Sequence, residues 1–253
     1  MKKKIHFPYL KFCFLNILFL SFFCHFFASD FKEGLNFANQ EKFQEAKICF
    51  QKQIKNFPND ANAYYNLGLI ESREKNYPLA IWYFEKSLKI NPKLRDVASH
   101  IENCNKELGN NTTYDPPLGY FQSKLFEINL QTWSILSVTF SVFLATSIFC
   151  IFTLKKRRKL FLLIAVFFFF ISCFLIFMTG EKANYLSQNT HAIVQEKIEN
   201  TFVDKTGNAL QSNLLFPGER LEIIEEDKNS DRIGLKILNG NLVWIDKRSI
   251  KEF

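Results

Sequence analysis

Residues 61–94 read ANAYYNLGLIESREKNYPLAIWYFEKSLKINPKL, and a weaker version of the same pattern precedes them. Displacing the sequence by 34 positions aligns Gly34 with Gly68 and Phe50 with Phe84. The other structurally telling identities at this displacement are Leu35/Leu69, Ala46/Ala80 and Pro58/Pro92. A period of this length is typical of a helical repeat, in which an antiparallel helix pair stacks on the next pair.

The repeated residue types suit defined positions in such a helix pair. Glycine and alanine permit close approach of two helices, phenylalanine fills the space between units, and proline ends the second helix. The pattern resembles the tetratricopeptide (TPR) repeat, and it predicts a domain over residues 29–110 with units at 27–60 and 61–94. The structural positions are Gly34, Ala46, Phe50, Pro58, Gly68, Ala80, Phe84 and Pro92.

Residues 95–108 are predicted to form a helix that caps the last unit, because Val97, Ile101 and Leu108 share one helical face. Residues 111–131 follow as a linker that contains Pro116-Pro117. Two units and a cap are fewer than the three repeats that normally stabilise such an array. We therefore expect marginal stability, support from a partner, or dimerisation.

The first helices of TPR units present an inner surface, which predicts a groove for a peptide or a partner helix. For Leu69, lining the groove and packing in the core are equally good interpretations, whereas Tyr65 and Arg73 favour the groove as solvent-side residues. The predicted groove residues are Phe31, Leu35, Tyr65, Asn66, Leu69 and Arg73.

Two later segments, 132–154 and 160–180, are uncharged and long enough to cross a hydrocarbon core of about 30 Å as helices. The loop between them, residues 155–159, carries only Lys and Arg. The positive-inside rule places such a loop in the cytoplasm. The sequence therefore predicts a transmembrane hairpin that opens away from the cytoplasm.

Residues 1–28 resemble a secretory signal peptide, with Lys2–Lys4 before an apolar run and small residues at Ala28-Ser29. Phe26 stands where a signal peptidase prefers a small residue, so retention as an uncleaved anchor stays open. In either case, the segments on both sides of the hairpin are predicted to lie on the extracytoplasmic, periplasmic side of a bacterial inner membrane.

Residues 187–253 contain five short β-type runs, 192–194, 214–216, 221–224, 234–237 and 242–245, separated by turn signals. Five short strands favour a small closed barrel, because closure removes exposed strand edges. The segments around Pro217-Gly218 and Val243-Trp244-Ile245 resemble bacterial SH3-type domains. The resemblance implies that Gly218 and Trp244 belong to the core of the barrel. Trp244 is expected to fill the core, and this role is favoured over that of a platform for a ligand.

The predicted fold class is thus a multidomain membrane protein, with an α-helical TPR region, a transmembrane helical hairpin and an all-β SH3-like small barrel. This order resembles the BatE-type family of the Bacteroides aerotolerance (Bat) operon, most closely at 64–68, at 80–86, at the turn 217–219 and around Trp244 and Ile250. The family implies partners among envelope membrane proteins with von Willebrand A domains, a MoxR-type ATPase, and a role in stress tolerance. The alternative is a module that binds peptidoglycan through its SH3-like domain.

Other functional classes find little support in the sequence. The net charge of +7 comes from dispersed basic residues and from two clusters that flank apolar blocks, so nucleic-acid binding is not expected. His100 and Cys104 are spaced for one helical face, but further metal ligands are not near. A disulfide between Cys49 and Cys104 stays open. We expect a non-enzymatic protein without cofactor or metal.

Overall fold

The computed structural model describes residues 29–110, 113–115, 120–153, 157–203, 210–226, 231–237 and 240–253, with backbone only for residues 29, 120–122 and 210–212. The predicted signal peptide, Pro116-Pro117 and the first two residues of the basic loop lie outside these residues. The chain forms two compact units, residues 1–53 and 54–253.

The first unit contains helix α1 (Ser29–Asn39) and most of helix α2 (Phe43–Asn56). These helices pack where the repeat predicts, with Ala46 and Phe50 fully buried. A Cβ atom on Gly34 would lie 2.8 Å from the Phe50 ring. Glycine at this position therefore permits the close approach of the two helices.

The second unit begins with helices α3 (Ala61–Arg73), α4 (Tyr77–Ile90) and α5 (Val97–Glu107). Asp60 caps α3, because its carboxylate accepts hydrogen bonds from the backbone N–H groups of Asn62 and Ala63 at 3.1 and 3.2 Å. A Cβ atom on Gly68 would lie 2.6 Å from the Phe84 ring, which repeats the contact seen in the first unit. The predicted helical repeat region is confirmed.

Helix α6 (Tyr120–Phe126) leads to two long apolar helices, α7 (Leu130–Thr153) and α8 (Arg158–Ser187). Both are long and apolar enough to cross a membrane. They pack against each other, and the hydroxyls of Ser141 and Ser172 lie 2.8 Å apart. Helix α8 continues beyond the predicted span at 160–180, so Gln188, Asn189 and Thr190 alone separate it from the first strand.

The C-terminal region forms one antiparallel seven-stranded sheet in the order β3-β2-β6-β5-β4-β1-β7. Its core contains Val194, Leu221, Leu235, Val243 and Ile245. The strands are β1 (His191–Val194), β2 (Ile198–Phe202), β3 (Leu210–Leu215), β4 (Arg220–Glu226), β5 (Arg232–Lys236), β6 (Leu242–Asp246) and β7 (Ile250–Glu252).

The prediction of a closed barrel is wrong, because β3 and β7 end the sheet and do not pair with each other. The β7 edge is protected in another way. The indole N–H of Trp82, on helix α4, donates a hydrogen bond of 2.7 Å to the carbonyl oxygen of Glu252 in β7. This bond satisfies one backbone group of the edge, and a helix that covers a strand edge limits its pairing with another strand.

A second apolar core joins the repeat helices to the sheet. Ile193 from β1 and Phe253 after β7 pack among buried residues of α4 and α5, including Ile81, Phe84 and Ile101. Phe253 is 2% exposed. Residues from before and after the apolar hairpin thus share one core, and the sheet adds apolar burial to the second repeat unit.

Candidate protein-interaction surface

Helix α3 supplies the second-unit part of the predicted groove, and Tyr65 is its most tightly held member. The Tyr65 hydroxyl lies 3.2 Å from Nε2 of His100 on helix α5. Its ring is 6.0 Å from the Phe84 ring and 5.8 Å from the His100 ring, measured between centroids. Burial raises the pKa of Tyr65, and the nearby carboxylate of Asp96 raises it further. Tyr65 therefore connects helix α3 to helices α4 and α5, and only part of its ring remains on the surface.

The other predicted residues of α3 differ in how much they offer a partner. The Asn66 amide donates a hydrogen bond of 2.8 Å to the carbonyl oxygen of Asn62 in the preceding turn. Leu69 is half-buried against the core shared with the sheet. Asn62 and Arg73 are exposed at the two ends of the helix. The outer face of α3 is thus a half-buried apolar stripe with polar ends.

Phe31 and Leu35 belong to the first compact unit, whereas the other four predicted residues belong to the second. Both side chains are half-buried on α1. The Phe31 ring lies 5.7 Å from the Phe50 ring between centroids, so it packs on the same phenylalanine that Gly34 accommodates. Phe31 thus contributes to packing within its own unit.

Helix α4 presents a face that the sheet covers, a contact that the repeat pattern does not predict. The Lys251 ammonium lies 4.0 Å from the centroid of the Trp82 ring and 5.2 Å from that of Tyr83. Burial lowers the pKa of Lys251. A signal was available, because α4 carries Ile81, Trp82 and Tyr83 beside its repeat positions, and a helix that is apolar on several sides is buried on several sides.

The covered face also contains a buried ion pair. The Glu85 carboxylate accepts hydrogen bonds of 3.1 Å from the Arg220 guanidinium in β4 and 3.1 Å from the Tyr114 hydroxyl. A further N–H of Arg220 donates to the carbonyl oxygen of Asp115. Burial raises the pKa of Glu85, while Arg220 and Tyr114 act in the opposite direction. The segment 113–115 is therefore fastened to both the helix and the sheet.

Gly218 and Trp244 occupy different places in the sheet region. Gly218 has a φ of +88°, which favours glycine, and a Cβ atom there would lie 2.6 Å from Leu108 at the end of α5. The turn that contains Gly218 thus packs closely against the end of α5 and against α4. Trp244 is 4% exposed in β6, and its ring lies over Gly234 of β5. A side chain buried to this extent offers little surface to a ligand.

His100 and Cys104, the pair weighed as metal ligands, have other contacts in the structure. The His100 ring stacks on Phe84 at 5.4 Å between centroids, and the Cys104 thiol lies 3.5 Å from the Ser72 hydroxyl. Burial raises the pKa of Cys104. Within the described residues, no group of three or more His, Cys, Asp or Glu side chains is arranged to hold a metal ion. Cys49 and Cys104 are free thiols.

Comparison with known proteins agrees with the geometry of the second repeat unit. The tetratricopeptide repeat family matches residues 61–94, which comprise helices α3 and α4 and the turns that flank them. No curated protein and no solved structure matches the chain. The match covers one repeat unit, whose kind is typical of proteins that bind other proteins.

Proposed function

We propose that this chain is a membrane-anchored adaptor that binds a protein partner on the outer face of helix α3. The observation that carries the proposal is the asymmetry of the second repeat unit. Its α4 face is covered by the sheet, whereas its α3 face keeps exposed ends and a half-buried apolar stripe. A peptide or partner helix in a groove of this kind contacts apolar anchors and polar ends.

The anchoring part of the proposal is supported by helices α7 and α8, which are apolar and long enough to span a bilayer. The core shared by α4 and β1 supports a topology with both folded parts on one side, because the hairpin separates them in the sequence. The cations at residues 155–159 support the extracytoplasmic side for that pair.

For the partner, we infer a membrane protein of the bacterial envelope. The order of segments and the resemblance to BatE-type proteins favour partners with von Willebrand A domains and a link to a MoxR-type ATPase in stress tolerance. The chain itself would act without catalysis. This assignment rests on the resemblance, and the interaction surface rests on the contacts of α3.

A pull-down from solubilised membranes tests the adaptor function. Arg73→Ala removes an exposed charge from the end of α3 without opening the core. We expect it to lower recovery of the partner about fivefold, which corresponds to roughly 1 kcal/mol, the loss expected for one contributing interface residue. The matched control is Lys93→Ala, which removes an exposed charge in the turn after α4. Equal recovery with both variants would count against the α3 face.

The alternative, binding of peptidoglycan by the SH3-like region, has less support, since Trp244 is buried. Sedimentation with purified peptidoglycan separates the two functions. The full-length protein in detergent is the right sample, because Ile193 and Phe253 are part of a core that includes the repeat helices. Binding in this assay would favour the cell-wall function, and its absence leaves the adaptor.

A further inference from the structure

A cleft of about 370 Å³ lies at the junction of the repeat helices and the sheet. Its floor is formed by Ile81 of α4, Ile101 of α5 and Leu221 of β4, which are only 1–2% exposed, and the half-buried Tyr114 ring supplies further apolar surface. Pockets for small molecules are concave, largely apolar sites with a few polar groups, and they occur preferentially between folded parts. The position and size of this cleft are therefore those of a small-molecule site.

One polar side chain in the cleft lacks a partner. Asn105 is 9% exposed, and its carboxamide makes no hydrogen bond within the part of the chain that the structure describes. Its Oδ1 atom lies 3.3 Å from the position that a Cβ atom would take on Gly218, so the side chain extends from α5 toward the sheet. The Asn105 carboxamide is not among the buried polar groups that lack a partner, because its polar atoms are open to the cleft. A ligand that donates a hydrogen bond to this oxygen would take the place of water.

The charged residues that line the cleft indicate which charge a ligand would carry. The Glu85 carboxylate is already neutralised by the Arg220 guanidinium at 3.1 Å. Two further carboxylates line the cleft, those of Glu219 and Asp115, and Arg220 is its only lining cation among the described residues. The local balance is therefore negative. Burial raises the pKa of Glu219, so a bound cation that pairs with this carboxylate would offset its desolvation.

We propose that this cleft binds a small amphipathic primary amine. The ammonium group donates hydrogen bonds to the Glu219 carboxylate and to the Asn105 carboxamide oxygen, with Asp115 at the rim. The apolar part of the ligand packs against the Tyr114 ring, above the floor formed by Ile81, Ile101 and Leu221. Bound there, the ligand contacts α4, α5 and β4 together, so it stabilises the junction of the repeat helices and the sheet. This site is independent of the proposed partner surface on α3.

Calorimetric titration of the full-length protein in detergent with phenethylamine tests the proposal, with 2-phenylethanol as the neutral probe of similar shape. We expect saturable binding of the amine and none of the alcohol. Glu219→Gln and Asn105→Leu should each weaken binding about tenfold or more, the usual effect of losing a hydrogen bond to a charged group.

Glu222→Gln is the matched control, because Glu222 lies three residues after Glu219, in β4, is exposed and pairs with Lys236 at 3.6 Å outside the cleft. It should bind phenethylamine like the unmodified protein. Glu219→Gln preserves side-chain shape, so its result decides the matter if Asn105→Leu fails to fold. Absence of saturable amine binding, equal binding of the alcohol, or equal affinity of Glu219→Gln and Glu222→Gln would overturn the proposal.

Discussion

The Arg220 guanidinium in β4 donates a hydrogen bond of 3.1 Å to the Glu85 carboxylate in helix α4, across 135 residues of sequence. This carboxylate is 3% exposed, so its charge depends on that partner and on the Tyr114 hydroxyl. The pair lies where the repeat helices meet the sheet. Because the pair joins the two parts, we expect it to couple their unfolding.

Removing Arg220 alone should therefore be costly. Arg220→Ala leaves a buried carboxylate without its cation, and we expect a loss of about 3 kcal/mol in the free energy of unfolding. The double variant Glu85→Leu with Arg220→Leu should recover most of this loss, since it removes both charges. Denaturant unfolding in detergent measures both. An unchanged midpoint for Arg220→Ala would contradict the importance of the pair.

Gly68→Ala should destabilise the second repeat unit. The added methyl group would lie 2.6 Å from the ring of Phe84, which is fully buried and packed in the core that α4 and α5 share with the sheet. Overpacking of this kind costs about 1–3 kcal/mol, more than the gain in helix propensity from alanine. Gly180→Ala is the control, because a Cβ atom there meets nothing within 4 Å. Thermal unfolding should separate the two variants, and equal midpoints would disagree with the observed packing.

Lys182→Met should loosen the attachment of helix α8. The Lys182 ammonium is fully buried and donates to the carbonyl oxygens of Ile90 at 3.1 Å, Ile128 at 3.0 Å, and Phe126. Methionine leaves these acceptors unsatisfied, at a cost of about 2 kcal/mol or more. Lys106→Met, an exposed change on α5, provides the comparison. If both variants unfold at the same denaturant concentration, the ammonium has no such role.

Lys89 should make stability depend on alkaline pH. Burial, and second the nearby Lys86, lower the pKa of Lys89 from 10.5 to about 8. Between pH 8 and pH 10.5 the unfolded chain binds the proton more readily than the folded chain, so stability should rise with pH in this window. Unfolding free energies at pH 7.5 and 10, compared with Lys89→Met, measure the change. If the unfolding free energy of the unmodified protein, relative to that of Lys89→Met, stays constant or falls between these pH values, the predicted effect of Lys89 is excluded.

The repeat could be predicted because each of its contacts is encoded locally. Gly34 with Phe50 and Gly68 with Phe84 occur at one spacing, and the structure places each glycine against its phenylalanine. Whether the sheet closes could not be predicted in this way, because closure depends on which strands meet in the folded protein. The sheet stays open, and its β7 edge is covered by Trp82, 170 residues earlier.

Two strands were missed for related reasons. Strand β2 reads IENTF, with exposed polar residues and little apolar alternation, so it lacks the pattern that predicts a half-buried strand. Strand β7 has only three residues, after a short 3₁₀ turn at Lys247–Ser249. Its pairing with β1 depends on tertiary contacts. The covered face of α4 and the cleft beside it likewise arise only when the sheet packs on the helices.

The connection between α8 and β1 has a mechanical consequence. With Gln188, Asn189 and Thr190 alone between them, and with the Gln188 carbonyl held by Lys89, the helix and the sheet have little room to pivot separately. A rotation of α8 about its long axis would therefore turn the sheet with it. Because Phe253 packs against α4, this rotation would also move α4. The second repeat unit would therefore change its orientation together with the apolar hairpin.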